Sequence, residues 1–285
     1  MVGIIDVGGG LRDIYGAGVF DFCLDNGITF DYGIGVSAGS GNMMTFLASQ
    51  RGRTFGFYHV FAFRKEYMSA GNFIRNRSYI DLDYVYGTLS RSDGEIPLDY
   101  EAFEKNPMKF KVVATDAETC EPRYFDRSEF RKDSYDVFKA SSAIPFVCKP
   151  VEIDGRMYYD GGVADPVPLK KAYEDGCDFV VVILTLPRNY RMTGGGKDAF
   201  AARMLSDKYP NMAHGLYSRF DKYNSQINYL EKMEREGKAL IIAPDDLCGM
   251  TTLSKDKAKM RKLYEKGYED AEILLDCVFI KKGGK

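Results

Sequence analysis

Ser37 sits in "GVSAG" (35–39), with Gly35 and Gly39 two residues away on either side. A serine hydroxyl held out on a sharp strand-to-helix turn is poised as a nucleophile, and flanking glycines let neighbouring backbone pack against the turn. The helix that leaves such a turn aims its N-terminal amides at the same spot. A tight turn with an idle serine uses the same residues, so the motif alone leaves both readings open. Acyl transfer also needs backbone donors for the developing negative charge. "GGGLRD" (8–13) is a source of them, because it follows a β-rich run and opens a helix. The competing reading is a dinucleotide loop. Gly8 and Gly10 fit the first two positions of G-x-G-x-x-G, and Asp31 stands near the distance of a ribose-binding acid. The third position is Asp13, whose charge would repel a pyrophosphate.

A serine nucleophile needs a base. The chain holds two histidines, His59 and His214. His214 would complete a Ser, Asp, His order of the α/β-hydrolase type, but the serine here follows two strands rather than several. Each histidine reads as a surface or packing residue. Asp160, in "YYDGGVADPVPL", is the remaining candidate. Taken alone, Asp-Gly-Gly is a turn that uses these residues for local reasons.

The elements around these residues alternate. "VGIIDV" (2–7) is a strand, residues 14–24 space apolar side chains along one helix face, and "DYGIGV" is a second strand leading to Ser37. A helix leaves from Gly39. This order predicts an α/β sheet with parallel strands. Downstream, "KFKVVATDAETCEPRYFDR" (109–127) reads as a strand with a hairpin partner, and "SYDVFKASSAIPF" as a helix stopped by Pro145. "VEIDGRMYYDGG" is a short strand between turns, "LKKAYEDG" a helix, and "DFVVVILTL" and "ALIIAP" are strands. Apolar residues at 220, 223, 227, 230 and 233 form a helical stripe. A tail helix carries Met260, Leu263, Tyr264, Gly267, Ala271, Leu274, Leu275 and Val278 on one face, with "KKGGK" fraying after it. Residues 55–86 hold ten aromatics, interleaved with Arg64, Lys65, Arg75 and Arg77. This mix fits an interfacial surface, with plain core packing as the alternative.

Composition narrows the class. The 285 residues suffice for one large core, and a net charge of −2 carries no basic field for nucleic acid. The six cysteines are scattered singly and away from both histidines, which disfavours a zinc site and suits reduced thiols in a cytoplasmic protein. No charged n-region precedes the first strand, and no apolar run reaches the length of a membrane span. Contact with a membrane surface stays open.

Together, "GGGLRD", "GVSAG" and "DGG" resemble the patatin-like phospholipase family in type, order and spacing. "KASSAIPFVCKPVEIDGRMYYDGG" is similar to that family's approach to its aspartate. The resemblance covers residues 3–185, and residues 190–285 look like the helical C-terminal extension of bacterial members. It implies one patatin-like domain over 1–285, of α/β class, three-layer α/β/α with a mainly parallel central sheet. It further implies a serine acyl hydrolase of lipase or phospholipase A type, cleaving lipid esters through a Ser–Asp dyad without histidine. Carried over by position, Ser37 is the nucleophile and Asp160 the base. Gly8, Gly9, Gly10 and Leu11 bracket the oxyanion hole, and Arg12, Gly35, Gly39, Gly161 and Gly162 support the motifs. No cofactor or metal is implied, and the partner is a lipid or acyl-ester substrate. The loop departs from the family at Asp13, where a glycine is usual. An acid there is expected in the first turn of a helix, a favourable place for it.

Overall fold

The computed structural model describes residues 1–282. The chain opens with strand β1 (Val2–Asp6), a 3₁₀ turn (Gly10–Asp13), helix α1 (Ile14–Asp25), β2 (Ile28–Thr29), β3 (Tyr32–Val36) and α2 (Ala38–Leu47). Helices α3 (Arg53–His59), α4 (Ala70–Asn76) and α5 (Tyr100–Lys105) lead to β4 (Lys109–Asp116) and β5 (Pro122–Asp126). Then come α6 (Asp136–Ser141), β6 (Val151–Ile153), β7 (Arg156–Asp160), α7 (Leu169–Glu174) and β8 (Phe179–Ile183). The last part holds α8 (Gly196–Leu205), α9 (Pro210–Arg235), β9 (Ala239–Ile242), α10 (Lys257–Asp270) and β10 (Lys281–Lys282).

The main sheet runs β6-β7-β4-β3-β1-β8-β9, with β5 also on β4. The β4–β3–β1–β8–β9 pairings are parallel, while β5, β6 and β7 join antiparallel. Strand alternation divides the apolar residues between two faces. Ile4, Phe110, Val112 and Val181 pack with α1, α2, α6 and α10 on one side. Ile5, Ile34, Val36 and Val182 pack with Leu169 and Ala172 of α7 and Tyr223, Ile227 and Leu230 of α9 on the other. The result is a three-layer α/β/α architecture with a mainly parallel sheet.

The C-terminal part is built into this frame. β9 extends the sheet beyond β8. α10 lies so close to α1 that a Cβ at Gly18 would stand 2.1 Å from Tyr264 O, and one at Gly267 2.0 Å from Tyr15 O. Three tyrosine hydroxyls donate across this contact: Tyr15 to Asp270 at 2.8 Å, Tyr264 to Asp21 at 2.7 Å and Tyr268 to Asp25 at 2.9 Å.

Several boundaries differ from the sequence expectation. α9 starts at Pro210, ten residues before the apolar stripe, because Met212, Ala213 and Leu216 pack on the other core. The tail helix ends at Asp270 and tightens into a 3₁₀ turn over Ala271–Leu275. Val278 is therefore solvent-exposed rather than part of a buried face. α6 ends at Ser141, four residues before the Pro145 expected to stop it. Of "KKGGK", Lys281 and Lys282 pair with Thr29 and Ile28, and residues 283–285 lie outside the described residues.

Candidate active site

β3 delivers Ser37 into a left-handed backbone conformation, φ 55° and ψ −130°, which costs a non-glycine residue of order 1–3 kcal/mol. The turn is held from three directions. Ser37 N donates to Ser141 Oγ at 2.8 Å, and Ser37 O accepts from Ser40 N at 3.0 Å and Ser40 Oγ at 2.7 Å. The flanking glycines are steric requirements. A Cβ at Gly35 would lie 2.5 Å from Ser40 Cα, and one at Gly39 2.5 Å from Asp6 O.

Ser37 Oγ donates to Asp160 Oδ2 at 2.6 Å, across 123 residues of sequence, and both side chains are buried. The register of β4 explains the meeting. Val36 pairs with Val113 on β4, and the next β4 residue, Ala114, pairs with Asp160. β5 occupies the other edge of β4, opposite both Val113 and Thr115. β3 and β7 therefore share one edge of β4 and meet end to end, which sets Asp160 beside Ser37. The aspartate is fixed in turn. Its Oδ1 accepts from Gly162 N at 2.8 Å, its carbonyl accepts from Thr115 Oγ1 at 2.7 Å, and its own amide donates to Ala143 O at 2.9 Å. A Cβ at Gly161 would lie 2.3 Å from Val113 O, so only glycine lets the turn sit this close to β4. Burial holds the Asp160 carboxyl above the usual carboxylate range, opposed by the bonds from Ser37 and Gly162 and by the Arg219 charge. Arg219 reaches in from α9, its Nε donating to Gly162 O at 2.9 Å.

The glycine loop turns beside Ser37 with φ of 71°, 153° and 61° at Gly8, Gly9 and Gly10. A Cβ at Gly8 would stand 2.3 Å from Val36 O. Of the four residues expected to bracket a hole, two have committed amides. Gly8 N donates to Asp6 Oδ1 at 3.0 Å, and Leu11 N to Thr252 O at 2.8 Å. Gly9 N and Gly10 N have no acceptor among the described residues. Ala38 N, first in α2, has none within its helix. Arg12 spans the loop's outer side, with Nη1 3.3 Å from Thr252 Oγ1 and Nη2 3.4 Å from Thr185 Oγ1, and its buried Nε is unpaired.

Asp13 closes the 3₁₀ turn that opens α1, in a helical first turn as expected, but buried rather than facing solvent. Its carboxyl makes no capping bond to α1, is wholly buried beside that of Asp6, and has no donor on either oxygen. Both groups crowd Gly16, where an added Cβ would lie 2.6 Å from Asp13 Oδ1 and 2.7 Å from Asp6 Oδ2. Burial and then the Asp6 charge push Asp13 well up, and burial lifts Asp6 to about 6. Asn42 Nδ2 bridges Asp6 Oδ2 and Asp13 O, each at 3.0 Å. An acid buried at the loop also argues against a pyrophosphate there, and Asp31 instead accepts from Val2 N at 2.9 Å.

Neither histidine hydrogen-bonds Ser37 or Asp160. His59 ends α3 and stacks on Phe55 at 4.7 Å, while His214 lies exposed on α9. Beside Ser37 opens a narrow, mainly apolar cavity of about 80 Å³. Of the ten aromatics in 55–86, Phe57, Tyr58, Tyr67 and Tyr86 line it. Only Phe73 is exposed, so the segment forms cavity wall and core more than outer surface. Ser141, Asp6, Asn42 and Arg219 carry no motif signal; they enter the site through contacts between distant segments.

A family model described as patatin-like phospholipase matches residues 7–173, and one described as a domain of unknown function, DUF6363, matches residues 209–276. The uncharacterized protein YjjU of Escherichia coli (strain K12) is 32% identical over 189 residues, which is 65% of this chain and 52% of that protein. An uncharacterized NTE family protein of Mycobacterium tuberculosis (strain H37Rv) is 33% identical over 82 residues, 29% of this chain and 22% of that protein. VipD from Legionella pneumophila shares the fold, with TM-score 0.52 and 14% identity over 96% of this chain and 66% of that one. The chain thus spans about half the length of YjjU and a smaller share of the mycobacterial protein.

Proposed function

The chain belongs to the patatin-like phospholipase family, and we propose that it hydrolyses carboxylic esters of lipids with Ser37 as nucleophile and Asp160 as base. The observation that carries this reading is the 2.6 Å bond from Ser37 Oγ to Asp160 Oδ2 beside a mainly apolar cavity that Ser37 borders. The hydroxyl attacks the ester carbonyl as its proton passes to Asp160, and the oxyanion forms. Gly9 N, Gly10 N and Ala38 N are the donors left for that charge. Collapse breaks the bond to the alcohol, which takes the proton from Asp160. Water then attacks the acyl-serine, gives a proton to Asp160, and the serine leaves with it.

The motif-bearing core 3–185 and the helical extension 190–285 act here as one unit. The β9 pairing, the α1–α10 contact and the Arg219 bond to Gly162 O support that organisation. No helix among the described residues is long and apolar enough to cross a membrane. Peripheral contact of a cytoplasmic protein with a lipid surface is part of the proposal. Phe73, Ile74, Phe146, Phe200 and Met204 are exposed, and Phe146 contacts Phe73 at 6.0 Å and Phe200 at 4.8 Å.

A serine-directed fluorophosphonate tests the reading. The wild-type chain should be labelled once and Ser37→Ala not at all. Asp160→Asn, which keeps shape and removes the base, should lower ester hydrolysis by ~10²–10⁴-fold. Label retained in Ser37→Ala, or full activity in Asp160→Asn, overturns it.

A further inference from the structure

We propose that the part of the cavity at Arg53, one α2 face away from Ser37, binds a carboxylate at the far end of the acyl chain, and that Arg53 is the residue that holds it. This rests on the reading of the cavity as the acyl site. The cavity runs along one face of α2, bordered by Ser37, Ala38, Gly41, Met44 and Thr45. Ala38 and Thr45 lie seven residues apart, about 10 Å along a helix axis. A chain anchored at Ser37 and lying along this face therefore arrives at Thr45.

Arg53, the first residue of α3, meets it there. Its Nη1 donates to Thr45 Oγ1 at 2.9 Å, and the side chain borders the same cavity. The other partners are neutral. Nε donates to Ile96 O and Pro97 O, each at 3.2 Å, Nη2 donates to Ile96 O at 3.0 Å, and the guanidinium stands 4.9 Å from the Phe57 ring centroid. Arg53 is 6% exposed and pairs with no carboxylate among the described residues. Arg51, two positions earlier, is exposed and pairs with Asp25 at 2.7 Å. A guanidinium carries five N–H donors. The hydroxyl and the two carbonyls engage three, leaving one N–H on each terminal nitrogen. Two such donors form the fork that matches a carboxylate.

The energetics point the same way. A buried charge without a counter-charge is costly, and burial pushes the guanidinium down to about 10. Holding the Ile96–Pro97 carbonyls accounts for Nε and one N–H of Nη2. It does not account for the remaining donors at the wall of a cavity whose other lining is apolar or hydroxyl-bearing and, apart from Arg53, carries no charged side chain. An acyl chain ending in carboxylate supplies both the missing charge and the missing acceptors. A plain alkyl chain strands its methyl end against the guanidinium.

The test compares two p-nitrophenyl esters of equal chain length, the octanoate and the mono-ester of suberic acid. Wild type should show a kcat/KM for the suberate ester at least ~10-fold above that for the octanoate, a margin of about 1.4 kcal/mol. Arg53→Met should reverse the ratio, and Arg53→Lys, which keeps charge but not the fork, should restore part of it. Equal rates on both esters, or faster octanoate cleavage by wild type, overturn the inference and leave the hydrolase standing. Because that comparison needs no variant, misfolding of a substituted chain does not affect it. Hydrolysis of neither ester, together with no fluorophosphonate labelling, removes the hydrolase reading and this inference with it.

Discussion

Replacing Asp13 by asparagine should stabilise the protein increasingly as pH rises. In the folded chain the Asp13 carboxyl is fully buried, lacks a donor on either oxygen and lies beside Asp6. Burial, then the Asp6 charge, raises it well above the ordinary value. In the unfolded chain it titrates near ~3.9. Between those two values the folded state holds a proton that the unfolded state has released. By linkage, stability then falls as pH rises, at about 1.4 kcal/mol per pH unit for this one group. Asparagine mimics the protonated carboxyl in shape and has no proton to lose. Above ~pH 4 the wild type should therefore lose stability with rising pH that Asp13→Asn retains. Asp6, lifted to about 6 by burial, titrates beside it, so the same curves are compared for Asp6→Asn and the double variant to separate the two groups. Urea unfolding followed by circular dichroism at half-unit pH steps gives the stability curves. Parallel curves would refute the reasoning, and a variant uniformly less stable than wild type would mean that the ionised acid is favoured at this position. Hydrolysis should survive, because the Gly8 N bond to Asp6 Oδ1 does not involve Asp13.

The acid limb of kcat/KM should fall above the usual carboxylate range, because Asp160 must be ionised to accept the serine proton and burial holds its carboxyl up. His59→Ala and His214→Ala should leave that limb in place; a limb displaced by either change would return a histidine to the mechanism. Ile74→Asp combined with Phe200→Ser should lower activity on phospholipid vesicles by ~10-fold or more while hydrolysis of a dissolved short-chain ester is kept, since ~1.5–3 kcal/mol of apolar burial per large side chain is forfeited at the surface. Equal loss on both substrates would mean that the patch serves stability rather than lipid contact.

The local chemistry of this protein is written in short stretches. Strand, glycine loop, helix, strand and serine turn follow from period and glycine placement within residues 2–47, because each depends on neighbours a few positions away. Ser37 and Asp160 are legible as residue types in motifs for the same reason. Their 2.6 Å bond is not, since it depends on β4 presenting Val113 and Ala114 in succession to two different strands. Long-range register also settles what a residue type leaves open. Asp13 reads as a favourable first-turn acid until the fold buries its carboxyl beside Asp6, and Gly8 reads as an oxyanion donor until Asp6 takes its amide. The tail helix shows the converse limit. A periodic stripe continues through Val278, but helix ends are set by packing and capping, and beyond Ala271 and Leu274 the stripe has no core left to cover. Arg53 carries no sequence signal. Only the packing of α3 against α2 puts its charge at the wall of the cavity.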